Sequence, residues 1–228
     1  APVTLDGDAH AYEAAMVMMQ GNIHHLPITS DGALIGMIAR SDFMRLETEH
    51  PLYLVSDIGK QTNAEGVVAV CRRLPGLVVG QIESDANGEQ LGKFITMITD
   101  AVTRQLLRIA EAELGPPPCD YAWVAMGSQG RFEQSAKSDQ DNALVLANKV
   151  TAADDEYSAA LAKVVNDGLD ACGYVYCPGD VMASNPRWRQ PLKQWKQYFH
   201  SWITVPESKA LMHANIFFDL RCVAGDTK

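Results

Sequence analysis

A glycine followed by three prolines, at residues 115–118, constrains the fold of this chain more than any other feature of its sequence. Proline lacks the backbone N–H that a helix or an inner strand requires, so no regular element can run through this block. Before the block, apolar residues recur at helical spacing from Phe94 to Ile109. After it, short apolar strands alternate with helical segments. The block therefore predicts a boundary between two kinds of structure.

Three segments follow from this boundary. Residues 1–50 are predicted to form a compact βαββα-like unit, in which one helix precedes a hairpin and another starts near Ser41-Asp42. Residues 51–115 are predicted to be a helical linker, and residues 116–228 a mixed β-sheet flanked by helices. The expected fold class is α+β. Because the chain lacks an initiator Met, we interpret it as a piece of a longer protein.

The composition argues against several classes of protein. The chain has 19 Lys and Arg against 28 Asp and Glu, a formal net charge of -9, which disfavours a nucleic-acid acceptor. Its five cysteines form no CxxC pair, which argues against a disulfide framework and a structural zinc site, and favours a cytoplasmic location. No apolar run approaches the roughly 20 residues of a membrane helix.

Two aspartates at the head of an apolar strand are the most informative chemical feature. Side chains alternate across a strand, so Asp139 and Asp141 are expected to face the same side. Two close carboxylates repel each other, and a divalent cation between them would compensate. Mg²⁺ prefers such oxygen ligands. The alternative is that one aspartate caps a turn while the other is solvated.

A glycine-rich turn lies upstream of these aspartates, after a predicted strand from Tyr121 to Met126. Glycines at 127 and 130 allow backbone N–H groups to approach a phosphate closely, and a following helix would offer its N-terminus to negative charge. The turn alone is a weak signal. Together with Arg131, Glu133 and the two aspartates it becomes specific.

The segment 127–144 resembles the nucleotidyltransferases of the DNA polymerase β superfamily. It is most similar to the nucleotidyltransferases of bacterial signalling proteins that also carry CBS domains, relatives of the PII-protein uridylyltransferase and the glutamine-synthetase adenylyltransferase. The residues that carry the resemblance are Gly127, Ser128, Gly130, Arg131, Glu133, Ser138, Asp139, Asp141, Asn142, Ala143 and Leu144. The likeness continues through Asn185-Pro186-Arg187-Trp188 and Phe217-Phe218-Asp219-Leu220-Arg221, so it spans about residues 95–228.

The resemblance implies a catalytic arrangement. Gly127 and Ser128 would hold the triphosphate of an NTP, Asp139 and Asp141 would bind two Mg²⁺ ions, and a third carboxylate on a neighbouring strand would complete the site. Asp219 is the candidate for this third ligand, because it lies in an apolar last element, where a buried carboxylate needs a cation. The alternative is a purely structural pair between Asp219 and Arg221.

Three basic residues are candidates for binding phosphate. Arg131, Lys137 and Arg187 lie in or near the motifs, and each is equally compatible with a solvated surface cation. Glu133 is expected at least to hold Arg131 in place. The seven-residue spacing of Trp188, Trp195 and Trp202 indicates one stripe of a helix that packs in the core, with base stacking by one of them as the alternative.

The N-terminal segment resembles one CBS module, through Ile23-His24-His25-Leu26-Pro27-Ile28 and Leu34-Ile35-Gly36-Met37-Ile38. Such modules work in pairs that bind adenine nucleotides, and only the second half of a pair is present. Asp42 matches the family's ribose-binding aspartate, but Ala39 stands where the family has Thr. An adenine nucleotide is therefore expected only at a complete pair. We also expect a homodimer.

These features favour a metal-dependent nucleotidyltransferase that acts on a protein or small-molecule acceptor and is regulated by CBS domains in signal transduction. A module that senses nucleotides without turning them over is the alternative. A structural scaffold would have little reason to place Asp139 and Asp141 together.

Overall fold

The chain is described from a computed structural model that covers residues 3–9, 11–39, 42, 51–135, 137–205 and 216–225. It divides into two compact units, Ala1–Tyr53 and Leu54–Lys228. Each unit has its own sheet. Within the described ranges, no helix combines the length and the apolarity that crossing a bilayer requires.

Within its described residues, the N-terminal unit contains a three-stranded sheet and a helix. Its elements are β1 (Leu5–Asp6), α1 (Ala11–Gly21), β2 (His25–Ser30) and β3 (Ala33–Ala39). β1 pairs with β2 in parallel, and β2 and β3 form an antiparallel hairpin. The turn places Asp31 and Gly32 at φ 50° and 78°, so the predicted hairpin is confirmed. The helix expected from Ser41-Asp42 lies outside the described residues, apart from Asp42.

Helices fill the next segment, as predicted. They are α2 (Pro51–Gly59), α3 (Ala64–Cys71), α4 (Leu74–Glu83) and α5 (Gly88–Leu114). α5 begins at a capping box, in which Asn87 and Gln90 satisfy each other's backbone N–H groups. It ends at Gly115, whose φ of 89° is accessible to glycine and strained for other residues.

Helix α5 packs against the sheet rather than standing apart from it. Its residues Ile98, Val102 and Leu106 are fully buried in one core with Trp123 and Leu144 of the sheet. The division into 51–115 and 116–228 stays a prediction about domain organisation. Any such division has to accommodate a shared core, because apolar residues of α5 are buried in the same cluster as residues of the strands that follow it.

The second sheet contains the four remaining strands. They are β4 (Tyr121–Ala125), β5 (Asn142–Leu146), β6 (Arg189–Pro191) and β7 (Arg221–Gly225), in the order β6-β5-β4-β7. β4 is antiparallel to β5 and β7, and β5 is parallel to β6. The α+β class with a mixed sheet flanked by helices is thus confirmed. The end of β4 lies beside the starts of β5 and β7, so three chain segments meet at one edge of the sheet.

In the described part of the chain, helices and a 3₁₀ turn lie between these strands. They are α6 (Gly127–Gly130), α7 (Ala152–Ala171), the 3₁₀ turn Pro186–Trp188 and α8 (Leu192–Thr204). The predicted tryptophan stripe is wrong in one respect, since Trp188 lies in the 3₁₀ turn before α8. The expectation of core packing is confirmed, because Trp188 and Trp195 are buried with their ring centroids 6.2 Å apart. All five cysteines are free thiols.

Candidate active site

The sheet register brings the sequence motifs together at the end of β4. Ala125 pairs with Asn142 on one side and with Arg221 on the other. One residue further, the N–H of Met126 donates to the carbonyl of Asp141 at 2.9 Å. The segments that carry Asp141 and Asp219 therefore flank the point where the chain leaves β4.

The glycine motif that follows β4 is a helical turn, α6, rather than the loop that the sequence suggests. Gly127 has φ 54°, and a Cβ there would collide with the Oδ2 atom of Asp141. A Cβ on Gly130 would collide with the backbone carbonyl of Asp219. The helix expected after Gly130 is absent from the described part of 131–141. The glycines thus let the two aspartate-bearing segments approach α6 from opposite sides.

Asp139 and Asp141 lie together, as their spacing predicts, and a third residue joins them. Ligand atoms of Asp139, Asp141 and Cys177 all lie within 4.8 Å of one another. Burial, followed by the nearby charge of Asp139, raises the pKa of Asp141. Burial and the neighbouring Asp141 carboxylate likewise raise the pKa of Cys177, whose Sγ is 3.5 Å from Asp141 Oδ1. Without a cation, the negative charges of Asp139 and Asp141 repel each other.

The residues that alternate with these aspartates, Gln140 and Asn142, are buried and are bound by helix α7. The fully buried Asn166 donates from Nδ2 to Gln140 Oε1 at 2.7 Å and to Asn142 Oδ1 at 3.0 Å. Its Oδ1 accepts the N–H of Ser184 at 3.0 Å, and Asn142 Oδ1 also accepts the N–H of Ala183 at 2.9 Å. An unpaired buried polar group costs about 1–3 kcal/mol, so this network favours a single arrangement of the segment.

Asp219 differs from its predicted setting. The strand begins only at Arg221, so Asp219 lies in an exposed turn rather than inside an apolar strand. Its Oδ2 accepts from Arg131 Nη1 at 3.0 Å, and Arg131 Nε donates to Glu133 at 2.8 Å. Glu133 therefore contacts Arg131 as expected. Among the described residues, Asp219 is outside the donor cluster of Asp139 and Asp141.

The alternative pair between Asp219 and Arg221 is wrong, because Arg221 binds a different carboxylate. It donates two hydrogen bonds to the buried Asp100 of α5, at 2.7 and 2.9 Å. Gln129 of α6 also donates to Asp100 at 3.0 Å, and its carbonyl accepts from Arg221 at 3.2 Å. This network ties the glycine turn to α5 and β7, so the preceding helical segment helps to hold the site.

The remaining predicted residues are distributed around this edge and beyond it. Ser128 lies in α6, and Lys137 is exposed in the segment between α6 and the aspartates. Arg187 is exposed on the 3₁₀ turn, with its guanidinium 4.5 Å from the centre of the Trp188 ring. Asp42, in the N-terminal unit, accepts the N–H of Ala39 at 2.8 Å through Oδ2.

The donor set fits a divalent cation. Ligand atoms of Asp139 and Asp141 lie close together, the lack of a Cβ on Gly127 leaves room for the Asp141 carboxylate, and burial penalises the charge of Asp141. Hard divalent cations bind such oxygen ligands. What the arrangement can do chemically is to hold a divalent cation near the end of β4.

Sequence reasoning missed Cys177, Asn166 and Asp100, which are distant in the chain from the motifs they contact. Cys177 is followed by Pro-Gly, which indicates a turn and carries no sign of a partner 36 residues upstream. Asn166 and Asp100 are polar residues in otherwise amphipathic helices. Their unexpected polarity at buried helical positions is the only local signal that could have identified them.

Comparisons with known proteins agree with this geometry. A model of the family described as "Putative nucleotidyltransferase DUF294" matches residues 72–209, more than half of the chain. A CBS domain model matches residues 1–49. A search of the curated proteins finds no match.

Proposed function

The chain belongs to the putative nucleotidyltransferase family DUF294 and carries a CBS domain, and from this premise we propose that it transfers a nucleoside monophosphate from an NTP to a protein or small-molecule acceptor. The activity would resemble that of PII uridylyltransferase and would be regulated through the CBS domain in signal transduction. The contact between the Asp141 carboxylate and Gly127 carries the proposal, because it sets the aspartate pair beside the Gly-Ser turn.

The reaction is a substitution at the α-phosphorus of the NTP. A bond forms between an acceptor oxygen and this phosphorus, the bond to the bridging oxygen breaks, and pyrophosphate leaves, while the acceptor loses a proton. Gly127 and Ser128 would hold the triphosphate, since the first N–H groups of a helical turn have no partner within it. Asp139 and Asp141 would hold Mg²⁺. When bound, the two ions of this superfamily supply charge stabilisation for the attacking and leaving oxygens.

Asp219 is proposed as the third carboxylate, and the ion pair with Arg131 explains how its charge is compensated in the metal-free chain. Arg131 would exchange Asp219 for a phosphate oxygen when the NTP binds, because phosphate accepts bidentate hydrogen bonds from a guanidinium. Asp219 would then turn towards Asp139 and Asp141. Lys137 and Arg187 are further proposed phosphate ligands, and both are exposed.

The N-terminal unit is proposed to take part in regulation. A complete pair of such modules would bind an adenine nucleotide, with Asp42 on the ribose, and a homodimer is the proposed assembly. The protein is proposed to act in the cytoplasm, where its five free thiols would stay reduced.

The test is a transfer assay with differently labelled nucleotides. The protein is incubated with Mg²⁺, cell extract and ATP or UTP labelled at the α- or the γ-phosphate. Transfer of a nucleoside monophosphate moves only the α-label to an acceptor and requires Asp141. Transfer of the γ-label would indicate a kinase and contradict the proposal. Stabilisation by Mg-NTP without any transfer would favour the nucleotide-sensing module instead.

A further inference from the structure

The loop before the 3₁₀ turn is fastened across the aspartate segment. The N–H of Gln140 donates to the carbonyl of Val175 at 3.0 Å, and the N–H of Asn142 donates to that of Val181 at 3.1 Å. These two bonds flank Asp141 on both sides. Both ends of the loop 175–181 are therefore hydrogen-bonded to the residues on either side of Asp141.

Cys177 lies inside this loop, which is itself tightly turned. Its carbonyl accepts the N–H of Asp180 at 2.9 Å, and its Sγ lies 3.5 Å from Asp141 Oδ1. Two ligands about 2.2 Å from one cation in tetrahedral geometry lie roughly 3.6 Å apart. Since ligand atoms of Asp139, Asp141 and Cys177 are within 4.8 Å of one another, a small movement would bring all three onto one ion.

Compensation from the protein for this negative charge is weak. The guanidinium of Arg131 is already hydrogen-bonded to Glu133 and Asp219. Two carboxylates and a thiolate would need a divalent cation to remain together in a half-buried position.

The mixed donor set indicates which cations the site prefers. Magnesium binds oxygen and seldom sulfur, whereas thiolate ligands favour soft or borderline ions. We infer that Cys177 is a third protein ligand beside Asp139 and Asp141, and that this site binds zinc-class divalent cations more tightly than magnesium. This inference rests on the proposed function only in sharing its two aspartates. On binding, the S–H bond breaks, the proton passes to water and a sulfur–metal bond forms, with no change of oxidation state.

Cadmium is a suitable probe, because a thiolate bound to it absorbs in the ultraviolet by charge transfer. The phosphine-reduced chain is titrated with Cd²⁺, and the saturable band is compared between the wild type and Cys177→Ser. We expect this substitution to remove the band and to weaken Cd²⁺ binding at least about tenfold. A loss of about tenfold in metal affinity is the smallest typically seen when a residue that only hydrogen-bonds a metal ligand is replaced. Asp141→Asn should weaken Cd²⁺ binding as well.

Cys172→Ser is the matched control, because the neighbouring thiols of Cys172 and Cys71 offer cadmium a competing pair of sulfur ligands. The control should keep the saturable band. A band that persists in Cys177→Ser, or that depends on Cys172, would overturn the inference. So would Cd²⁺ affinity that Asp141→Asn leaves unchanged, because the thiol would then bind alone. Cys177→Ala serves as a second variant if Cys177→Ser fails to fold.

A separate measurement distinguishes this inference from the proposed function. Thermal stabilisation by Mg-NTP is compared between the wild type and Asp141→Asn. Equal stabilisation together with a cadmium band that requires Cys177 and Asp141 would support the cation site and contradict the nucleotidyltransferase proposal. Stabilisation that requires Asp141, without any Cys177-dependent band, would overturn the inference alone.

Discussion

The two units of the chain use their apolar residues differently. In the N-terminal unit, the buried core within the described residues is Ala14, Met18 and Leu26, while β3 leaves Leu34 65% and Ile35 60% exposed. The second unit buries its helices and sheet in two cores. It therefore covers most of β4 and β5 of its sheet, whereas the first unit leaves β3 largely uncovered.

The contrast extends to polar residues. In the second unit, Asn142 and Asn166 are almost fully buried and hydrogen-bonded, and they hold the segment that carries the two aspartates. The described N-terminal unit has no buried polar side chain of this kind. A large core supplies both the dry surroundings and the fixed partners that a strained site needs.

The largest effect is expected from Asp141→Asn, which removes one of the two carboxylates of the proposed cation site in the second unit. Asn keeps the size of the side chain but loses the charge that attracts a cation, so Mg²⁺-dependent transfer should fall on the order of 10²–10³-fold, as when one preorganised electrostatic group is lost. Steady-state transfer assays measure this effect. An equal rate in the variant would remove Asp141 from the site.

A smaller effect is expected from removing the amide that holds this segment. Asn166→Ala should lower the free energy of unfolding by about 2–3 kcal/mol, because Gln140 and Asn142 each lose a buried hydrogen bond and the N–H of Ser184 loses its acceptor. Lys163→Ala, three residues earlier in the same helix, is the control, since it removes the exposed ion pair with Asp167, which is worth less than about 1 kcal/mol. Denaturant titration measures the free energy of unfolding of both variants. Equal losses would contradict the role of Asn166 in holding this segment.

The pH dependence of the metal-free chain should reveal the strain at Asp141. Burial and Asp139 raise its pKa in the folded state, while the unfolded value is about 3.9. Between these two values the folded chain binds more protons, so the contribution of Asp141 to stability falls as the pH rises. Asp141→Asn removes this loss, so the variant should be as stable as the wild type or more stable above this window. Melting curves of the wild type and the variant, recorded in a chelator across the pH range, test the sign of this pH dependence.

The smallest effect is expected on the uncovered strand of the N-terminal unit. Ile35→Thr should change the free energy of unfolding by no more than about 0.5 kcal/mol, because the side chain is already exposed. Leu26→Ala, at a fully buried position of the same sheet, should cost about 2–5 kcal/mol. If Ile35→Thr were as costly as Leu26→Ala, β3 would be covered in solution and the contrast between the units would not hold.

Several parts of the fold could be predicted because they depend on residues close in the chain. The hairpin follows from Ser30-Asp31-Gly32, and the end of α5 from Gly115. The shared side of Asp139 and Asp141 follows from the two-residue period of an extended chain. The membership in a nucleotidyltransferase family was predicted from the resemblance of the motifs in 127–144 and is confirmed.

The errors have a physical cause as well. The setting of Asp219 was wrong because an apolar stretch does not reveal where its strand begins, and pairing with β4 decides that β7 starts at Arg221. The expected helix after Gly130 was wrong because the glycine motif is itself the helical turn. The start of β7 and the conformation of the glycine motif depend on the segments that contact them in space rather than on their own composition.

The amino-acid sequence alone predicts which side chains can share a face, 139 with 141 and 140 with 142, since local backbone geometry sets this alternation. What each face contacts depends on tertiary packing. Cys177 approaches Asp141, Asn166 binds Gln140, and Asp100 rather than Asp219 pairs with Arg221, across 36, 26 and 121 residues. Contacts over such separations depend on strand order and on helix packing, because only the packing of the entire core brings these segments together.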